Sequence, residues 1–241
     1  MFGLLGARKK KAKGEGEKPF WISYADLMTA MMTLFLAAMA ATMVAISSER
    51  AREKSLGEKR DDAIRSICSQ LKVGLGGHTS IEIDCEDHRI RFGEVGRFAQ
   101  NDYRLPPEAN QVLAELVPKV LATADSEEGK RWLKQVVIEG FTDTDGSYLY
   151  NLHLSLQRSQ WVMCLLLDRR KNAALSLTEA QLQRVRQLFL AGGVSFNDAK
   201  ESKDESRRVE MRLEFRPLEE QDNVPPPIDF ASRDDDVCML S

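Results

Sequence analysis

The chain has 241 residues, of which 34 are Lys or Arg and 37 are Asp or Glu, and its formal net charge is −3. This length suits one domain of ordinary size with flanking segments, and the 29% charged and 43% hydrophobic residues are typical of a globular protein, not of a multispan membrane protein. A net charge so near neutral provides no broad electropositive field, which argues against nucleic-acid binding.

The cysteines and histidines show no metal-ligand spacing. Cys68, Cys85, Cys164 and Cys238 form no CxxC pair, and the three histidines are scattered. We therefore expect no metal site and no bound cofactor. If the C-terminal part is periplasmic, Cys68 and Cys85 could form a disulfide, although sequence does not fix the pairing. Cys164 lies in a helical pattern and is more simply interpreted as a small buried hydrophobe.

The first elements are a basic arm and an apolar segment. Residues 1–19 are rich in Gly and Lys, and residues 20–46 contain a single charged side chain, Asp26. At about 1.5 Å per residue, a helix over 20–46 would extend about 40 Å, enough to cross a bilayer. A cleaved signal peptide is the alternative, because alanines lie near the end of the segment. Its apolar region would be shorter and would not contain an acid. We predict an uncleaved transmembrane helix.

Flanking residues predict the orientation of this helix. The basic arm 1–19 should stay in the cytoplasm by the positive-inside rule, and Trp21 and Tyr24 lie where an interfacial aromatic belt is expected. Arg50 and Arg52 weaken this asymmetry, but long C-terminal domains translocate with little regard to charge. The prediction is a single-pass protein with its C-terminal domain on the far side of the membrane.

Asp26 is the residue of interest in this segment. A carboxylate near the bilayer centre costs about 2.5–3.5 kcal/mol, so such residues are rarely without function. Its helical face carries small residues, which allow another helix to approach closely. A desolvated carboxyl favours its neutral form and can release its proton when water or a cation partner arrives. One helix cannot build a channel, so a multispan partner is required. The alternative is an acid that tilts toward the headgroups or serves assembly only.

Residues 47–216 predict a helical stalk followed by an α+β domain. The segment 47–78 is charged, proline-free and helical in pattern until glycines interrupt it at 74–77. Strand patterns follow at 80–84, 89–92, 135–139 and 209–215, and helix patterns at 109–122, 151–169 and 178–190, the last with Thr178 as N-cap. This order predicts helices packed on a mixed sheet over 79–216. The acidic, proline-rich segment 217–241 predicts a disordered tail.

A second group of polar residues follows the buried strand. Asp143 lies in the acidic loop Gly140-Phe141-Thr142-Asp143-Thr144-Asp145-Gly146, and Arg158 lies in the next helix. Such a pair suits a zwitterionic ligand with an ammonium and a carboxylate. A direct salt bridge between the two residues is the alternative. His153 and Ser155 have no nucleophile elbow or third triad partner, so we predict no enzymatic activity.

Residues 19–33 resemble the membrane helix of flagellar stator B subunits, MotB and its relatives. Their sequence is Pro19-Phe20-Trp21-Ile22-Ser23-Tyr24-Ala25-Asp26-Leu27-Met28-Thr29-Ala30-Met31-Met32-Thr33. This resemblance implies that Asp26 carries the translocated proton or sodium ion, with Tyr24 and Thr33 facing the channel. It also implies an inner-membrane location and a ring of five A subunits around two B chains, and therefore a homodimer with a periplasmic domain.

The loop and helix resemble the signature of OmpA-like peptidoglycan-binding domains, Gly-His-Thr-Asp followed by Asn-x-x-Leu-Ser-x-x-Arg. Phe141 replaces the histidine, and the matching positions are Thr142, Asp143, Gly146, Asn151, Leu154, Ser155 and Arg158. The resemblance implies that Thr142, Asp143, Asn151, Leu154 and Arg158 bind peptidoglycan, with Asp143 and Arg158 on the diaminopimelate of the stem peptide. Arg208 is expected to support the site, because 207–210 resembles the closing strand motif. The segment 168–197 is longer than the family implies.

Within stator B subunits, the short basic arm, the Asp-Leu-Met-Thr-Ala variant and the charged stalk most resemble those of the Zorya anti-phage defence system. That resemblance implies a multispan A subunit of the same system as partner. A flagellar subunit that drives motility and a passive membrane-tethered wall anchor are the alternatives.

Overall fold

The computed structural model describes residues 20–77, 79–220 and 237–240, with side chains described from residue 24 onward. The basic arm 1–19 therefore lies outside the described residues. The chain divides into two compact units, Met1–Ser55 and Leu56–Ser241, and each is described by itself.

The first unit contains the start of helix α1 (Phe20–Leu75). Every side chain from 24 to 55 is exposed, including large apolar ones such as Leu34 and Phe35. This helix is long and apolar enough to cross a membrane. A helix that is apolar around its circumference, and that the described part of its unit does not cover, is typical of a membrane span. The segment 20–46 lies wholly within α1, as the predicted helix requires.

The second unit is built on a five-stranded mixed sheet. Its strands are β1 (Glu82–Asp84), β2 (Arg89–Arg91), β3 (Leu133–Phe141), β4 (Phe189–Ser195) and β5 (Val209–Phe215). They lie in the order β1-β2-β5-β3-β4, and only the β3–β4 pair is parallel among the described strands. β3 lies between two neighbours and is buried along most of its length, as expected for a strand covered on both sides. The predicted α+β class is confirmed.

The helices of this unit are α2 (Glu108–Ala124), α3 (Glu127–Trp132), α4 (Tyr148–Leu167), α5 (Glu179–Leu188) and α6 (Lys203–Ser206). The start of α4 is capped by Ser147, whose hydroxyl accepts a hydrogen bond from the Tyr150 amide. The start of α5 is a capping box in which Thr178 and Gln181 form reciprocal hydrogen bonds, so Thr178 is the N-cap, as predicted. Short 3-10 turns occur at Gly93–Gly96 and Leu218–Glu220.

The core joins the sheet to the helices and to the end of α1. Val136 and Ile138 of β3 and Met211 of β5 are buried against apolar residues of α2, α4 and α5. Leu71 and Leu75 of α1 belong to the same core. The buried positions of this last part of α1 recur at helical spacing, and they are Ile64, Ile67, Cys68, Leu71 and Leu75. A disulfide between Cys68 and Cys85 adds a covalent link. The end of the segment predicted as a stalk is thus part of the domain.

Three expectations need correction. The helix predicted over 178–190 ends at Leu188, and the chain passes directly into the unpredicted strand β4. Cys164 is buried as predicted, but it is not simply a small hydrophobe, because it forms a disulfide with Cys238. That bond and the 3-10 turn Leu218–Glu220 show order in two parts of the segment predicted as a disordered tail. Residues 221–236 lie outside the described residues.

Candidate functional site

The membrane helix presents Asp26 on an uncovered surface. Thr29 donates its hydroxyl hydrogen to the carbonyl oxygens of Ala25 and Asp26, at 3.0 and 2.9 Å, and Thr33 donates to Ala30 at 2.9 Å. Each threonine hydroxyl therefore finds an acceptor within the helix, which suits an apolar environment. Tyr24 and Asp26 are exposed, so any group that contacts the carboxylate of Asp26 must come from outside the described part of the first unit.

The second site lies where β3 ends and α4 begins. Gly140 allows the two elements to approach closely, because a Cβ atom at this position would lie 2.1 Å from the carbonyl oxygen of Ser155. Only glycine fits such a contact. The loop 142–147 then turns into α4, and Gly146 adopts a left-handed φ of 99°. The side-chain amide of Asn151 donates to the carbonyl oxygens of Asp145 and Ser147, at 2.7 and 3.3 Å, and these bonds hold the loop against the start of α4.

Asp143 is buried and forms an ion pair. Its Oδ1 accepts a hydrogen bond from the Asp145 amide at 3.0 Å, and its Oδ2 accepts from Nη1 of Arg207 at 3.0 Å. The direct salt bridge with Arg158 considered from sequence is not among the contacts of these described residues. Both oxygens of the carboxylate are already engaged, so a ligand ammonium would share the carboxylate with Arg207.

The arginine that contacts Asp143 is Arg207, the neighbour of the Arg208 named from sequence. Arg208 donates to Glu210 at 2.7 Å and to Asp198 at 2.6 Å, and its guanidinium lies 4.1 Å from the centre of the Phe141 ring. Arg207 caps the C-terminus of α6, whereas Arg208 forms a β-bridge with Arg97, so the two adjacent arginines reach different partners. Arg208 therefore stabilises the sheet beneath the site.

Arg158 is only 1% exposed. Its guanidinium donates to three main-chain carbonyl oxygens, those of Asp102 at 2.9 Å, Phe141 at 2.6 Å and Ala99 at 3.2 Å. Burial lowers the pKa of Arg158 from its ordinary value to about 10, and the charge of Asp143 opposes that shift. Arg158 thus holds the end of β3 and the loop 99–102 together, and it brings its positive charge into the electrostatic field of Asp143.

Two further predicted residues complete the interior of the site. Leu154 is buried on the inner face of α4. Thr142 donates its amide to the carbonyl oxygen of Ser195 at 3.0 Å, whereas its buried hydroxyl has no hydrogen-bond partner within the described part of the chain. An unpaired buried hydroxyl is uncommon in proteins. It is available to a ligand or a water molecule that enters beside Asp143.

Sequence reasoning missed Ser195 as well as Arg207. Ser195 is fully buried with a left-handed φ of 57°, at the end of the unpredicted strand β4. Its amide donates to Oγ of Ser155 at 3.1 Å, and its hydroxyl donates to the carbonyl oxygen of Tyr148 at 3.3 Å. No signal in the sequence points to Ser195. For Arg207, the adjacent arginines and the alternation of β5 offered a signal.

The chemistry of this arrangement is that of a binding site. It offers a fixed carboxylate, two guanidinium groups and one free hydroxyl around a loop held by hydrogen bonds. Within the residues that the structure describes, no group of three or more His, Cys, Asp or Glu side chains could hold a metal ion. The arrangement can bind a small ligand that carries both charges.

Comparisons with known proteins cover the whole chain. The family described as membrane MotB of the proton-channel complex MotA/MotB matches residues 7–53. Over 243 aligned residues the chain is 51% identical to Zorya protein ZorB of Escherichia coli O139:H28 (strain E24377A / ETEC), covering 100% of this chain and 98% of that protein. It is also 26% identical to Zorya protein ZorB of E. coli strain ATCC 8739, covering 85% of this chain and 92% of that protein.

Solved structures give weaker similarities. A putative MotB like protein from Desulfovibrio vulgaris is 22% identical, with 68% of this chain and 98% of that chain covered and a TM-score of 0.38. The peptidoglycan-associated lipoprotein from Burkholderia pseudomallei is 19% identical, with 50% and 88% covered and a TM-score of 0.32. Scores this low support no conclusion about function. The identity of 51% over the whole chain shows the family: the chain belongs to the family of Zorya protein ZorB.

Proposed function

We propose that this chain is the ion-conducting, peptidoglycan-anchored B subunit of an inner-membrane stator-type motor, and that the motor acts in Zorya defence against phage. One observation carries the proposal. The acidic residue Asp26 lies in an apolar helix of membrane-spanning length, and the described part of its own unit does not cover it. Membership of the ZorB family and the MotB match over 7–53 support the same reading.

In this proposal Asp26 alternates between a neutral and a charged state. In a low-dielectric site the carboxyl favours the neutral form, and a water path or a cation favours the charged form. Passage of one charge across the membrane provides about 2.3 kcal/mol per 100 mV. The only small species required is the translocated ion, a proton or sodium, and no bound cofactor takes part. Tyr24 and Thr33 flank Asp26 and line the path.

The pathway needs a second, multispan protein. The small residues on the Asp26 face allow close approach of other helices. We assign this role to a ZorA/MotA-like A subunit, with five copies around two copies of the present chain. The homodimer that follows places two Asp26 residues in one ring. Alternate loading of the two carboxyls would then drive rotation of the ring.

The disulfides support a periplasmic location for the second unit. Cys68–Cys85 and Cys164–Cys238 join all four cysteines of the chain in pairs. Disulfides persist in oxidising compartments such as the periplasm and are rare in the cytosol. A periplasmic C-terminal unit requires a cytoplasmic N-terminus, because one helix crosses the membrane once. This orientation agrees with the basic arm.

The periplasmic unit holds the complex to the cell wall. In the proposed binding mode, the ammonium group of diaminopimelate meets Asp143, and its carboxylate meets the positive field of Arg158. Thr142 offers its free hydroxyl to the same ligand. Asn151 and Leu154 shape the loop and the floor, and Arg207 keeps Asp143 oriented. Arg208 contributes through Phe141 and Glu210 and does not contact the ligand.

A phage-plating experiment tests the proposal. In cells that carry the complete system, Asp26→Asn keeps the size of the side chain and removes its titration, so it should abolish protection while the A subunit still copurifies. Asp62→Asn is the matched control, because Asp62 is exposed and its ion pair is with Arg65, which is exposed as well. Full protection by the Asp26→Asn variant would refute the proposal. Lost swimming with unchanged phage protection would favour a flagellar subunit.

A further inference from the structure

We propose that Tyr148 and Phe196 form a second subsite beside the Asp143 loop, and that this subsite binds a sugar ring of the peptidoglycan glycan strand. The inference rests on the proposed wall-binding function and deepens it. The stem-peptide site would thereby be extended to the glycan.

Tyr148 is held in one orientation although 45% of it is exposed to solvent. Its ring meets the Phe196 ring in a T-shaped contact, with centroids 5.5 Å apart and planes at 88°. Its hydroxyl oxygen accepts a hydrogen bond from the Asn197 amide at 3.1 Å. A T-shaped contact covers at most one face of the tyrosine ring, so aromatic surface remains open. Because the ring is fixed in advance, a ligand need not order it on binding.

Ser195 connects this aromatic pair to the stem-peptide site. Its carbonyl oxygen accepts from the Thr142 amide, and its hydroxyl donates to the carbonyl oxygen of Tyr148. The left-handed conformation of Ser195 is uncommon for a residue with a side chain, and it is kept here by these bonds and by a third one to Ser155. Phe196 follows Ser195 in the chain, and its ring contacts the ring of Tyr148. The same residue thus fixes the Thr142–Asp143 loop and the aromatic pair relative to each other.

The chemistry of the surface fits a sugar. The face of an aromatic ring carries partial negative charge, and the C–H groups on the apolar face of a pyranose carry partial positive charge. The side-chain amide of Asn197 lies at the ring edge, and Asp145 on the loop forms an exposed ion pair with Lys203 of α6 at 2.7 Å. Binding sites for small polar ligands combine aromatic walls with such polar groups. A stem peptide is covalently attached to a sugar, so a peptide bound at Asp143 brings a sugar ring within the length of that peptide from the Asp143 loop.

Two probes separate this subsite from the peptide site. The full-length protein in detergent is titrated with a diaminopimelate-containing tripeptide and with the same tripeptide attached to its N-acetylglucosamine–N-acetylmuramic acid disaccharide. We expect the disaccharide form to bind more tightly. Tyr148→Ala should weaken binding of the disaccharide form by about 3- to 10-fold, the range for one aromatic contact. It should leave binding of the tripeptide alone unchanged.

Three further variants serve as controls. Tyr148→Phe keeps the ring and should retain most of the sugar-dependent affinity. Leu149→Ala removes a neighbouring side chain that is 75% exposed, and it should change neither affinity. Asp143→Asn should weaken both ligands, because the peptide site is common to them.

The possible results are distinct. If Tyr148→Ala weakens both ligands equally, or neither, the sugar subsite is refuted, while loss of binding in Asp143→Asn still supports the wall-binding function. If the wild-type protein binds neither probe, the wall-binding function fails and the subsite fails with it. A change of oligomeric state in Tyr148→Ala, with unchanged affinities, would show that this surface contacts protein and would also overturn the proposal.

Discussion

Arg207 donates from Nη1 to Oδ2 of Asp143 over 3.0 Å, and both side chains are largely buried. The same guanidinium donates to Asp204 at 2.7 Å and to the carbonyl oxygen of Phe98 at 3.2 Å. Asp143 is therefore held by a neighbour that is itself fixed on two sides. A carboxylate that is fixed before a ligand arrives loses little conformational freedom on binding. Arg207 therefore contributes to ligand affinity although it does not contact the ligand.

The first prediction concerns this contact. Arg207→Ala should reduce binding of the full-length protein to purified sacculi by about 10-fold, because one charge-assisted hydrogen bond to a buried carboxylate contributes about 1.5–3 kcal/mol. Arg97→Ala is the matched control, since Arg97 also pairs with Asp204 but does not contact Asp143. Cosedimentation with sacculi measures both variants. Equal binding by Arg207→Ala and wild type would contradict this account of Asp143.

The second prediction concerns Arg158 and stability. Arg158→Met should lower the free energy of unfolding by about 2–5 kcal/mol, because three carbonyl oxygens, that of Phe141 in a buried hydrogen bond, would lose their donor. Urea unfolding of the second unit, followed by its tryptophan fluorescence, measures the change. Arg158→Lys should recover only part of it, since an ammonium cannot match a planar guanidinium. An unchanged unfolding midpoint in Arg158→Met would show that these hydrogen bonds contribute nothing.

The third prediction concerns the disulfides. Cys164→Ser should lower the free energy of unfolding by about 2–4 kcal/mol, because the bond to Cys238 closes a long loop with a sequence separation of 74. Cys68→Ser should act in the same direction through its shorter loop, with a separation of 17. Protein from membranes should show no free thiol until it is reduced. Four titratable thiols in unreduced protein would argue against a periplasmic second unit.

The fourth prediction concerns pH. Hydrogen bonds from Arg170 lower the pKa of Asp168 below its usual value, and the Cys238 amide acts in the same direction. A carboxyl whose pKa is lower in the folded state stabilises the fold above its unfolded pKa of about 3.9, and this contribution is lost as pH falls through the folded value. Asp168→Asn should therefore be less stable than wild type at pH 7, with a smaller difference near pH 3. A stability difference between Asp168→Asn and wild type that increases as pH falls would contradict this role of Asp168.

Sequence patterns predicted the elements whose periodicity is local. Helix α5 was signalled by Thr178 at its N-cap, and β5 by its alternation of apolar and charged residues. Strand β4 was not predicted, because Phe189 follows Leu188 without a turn and the glycines of this strand weaken any strand pattern. Its position depends on parallel pairing with the distant strand β3, which no local window contains.

In the candidate site, too, sequence patterns found only residues that lie near one another along the chain. Asp143, Asn151 and Arg158 were found because they lie close together in sequence around one loop and one helix. Arg207 lies between α6 and β5, and Ser195 ends β4, so both are far from the loop in sequence and reach it only in the folded domain. The pairing of Cys164 with Cys238 was equally out of reach, because four cysteines allow three connectivities.

The central claim is that the Asp26 carboxyl carries the ion that drives the motor. The most direct measurement is ion flux through the complex of this chain with its A subunit, reconstituted in liposomes under an imposed membrane potential and tested with protons and with sodium. We predict flux of one of the two ions in wild type and in Asp62→Asn, and none above empty liposomes in Asp26→Asn. Equal flux in Asp26→Asn and wild type would contradict the account.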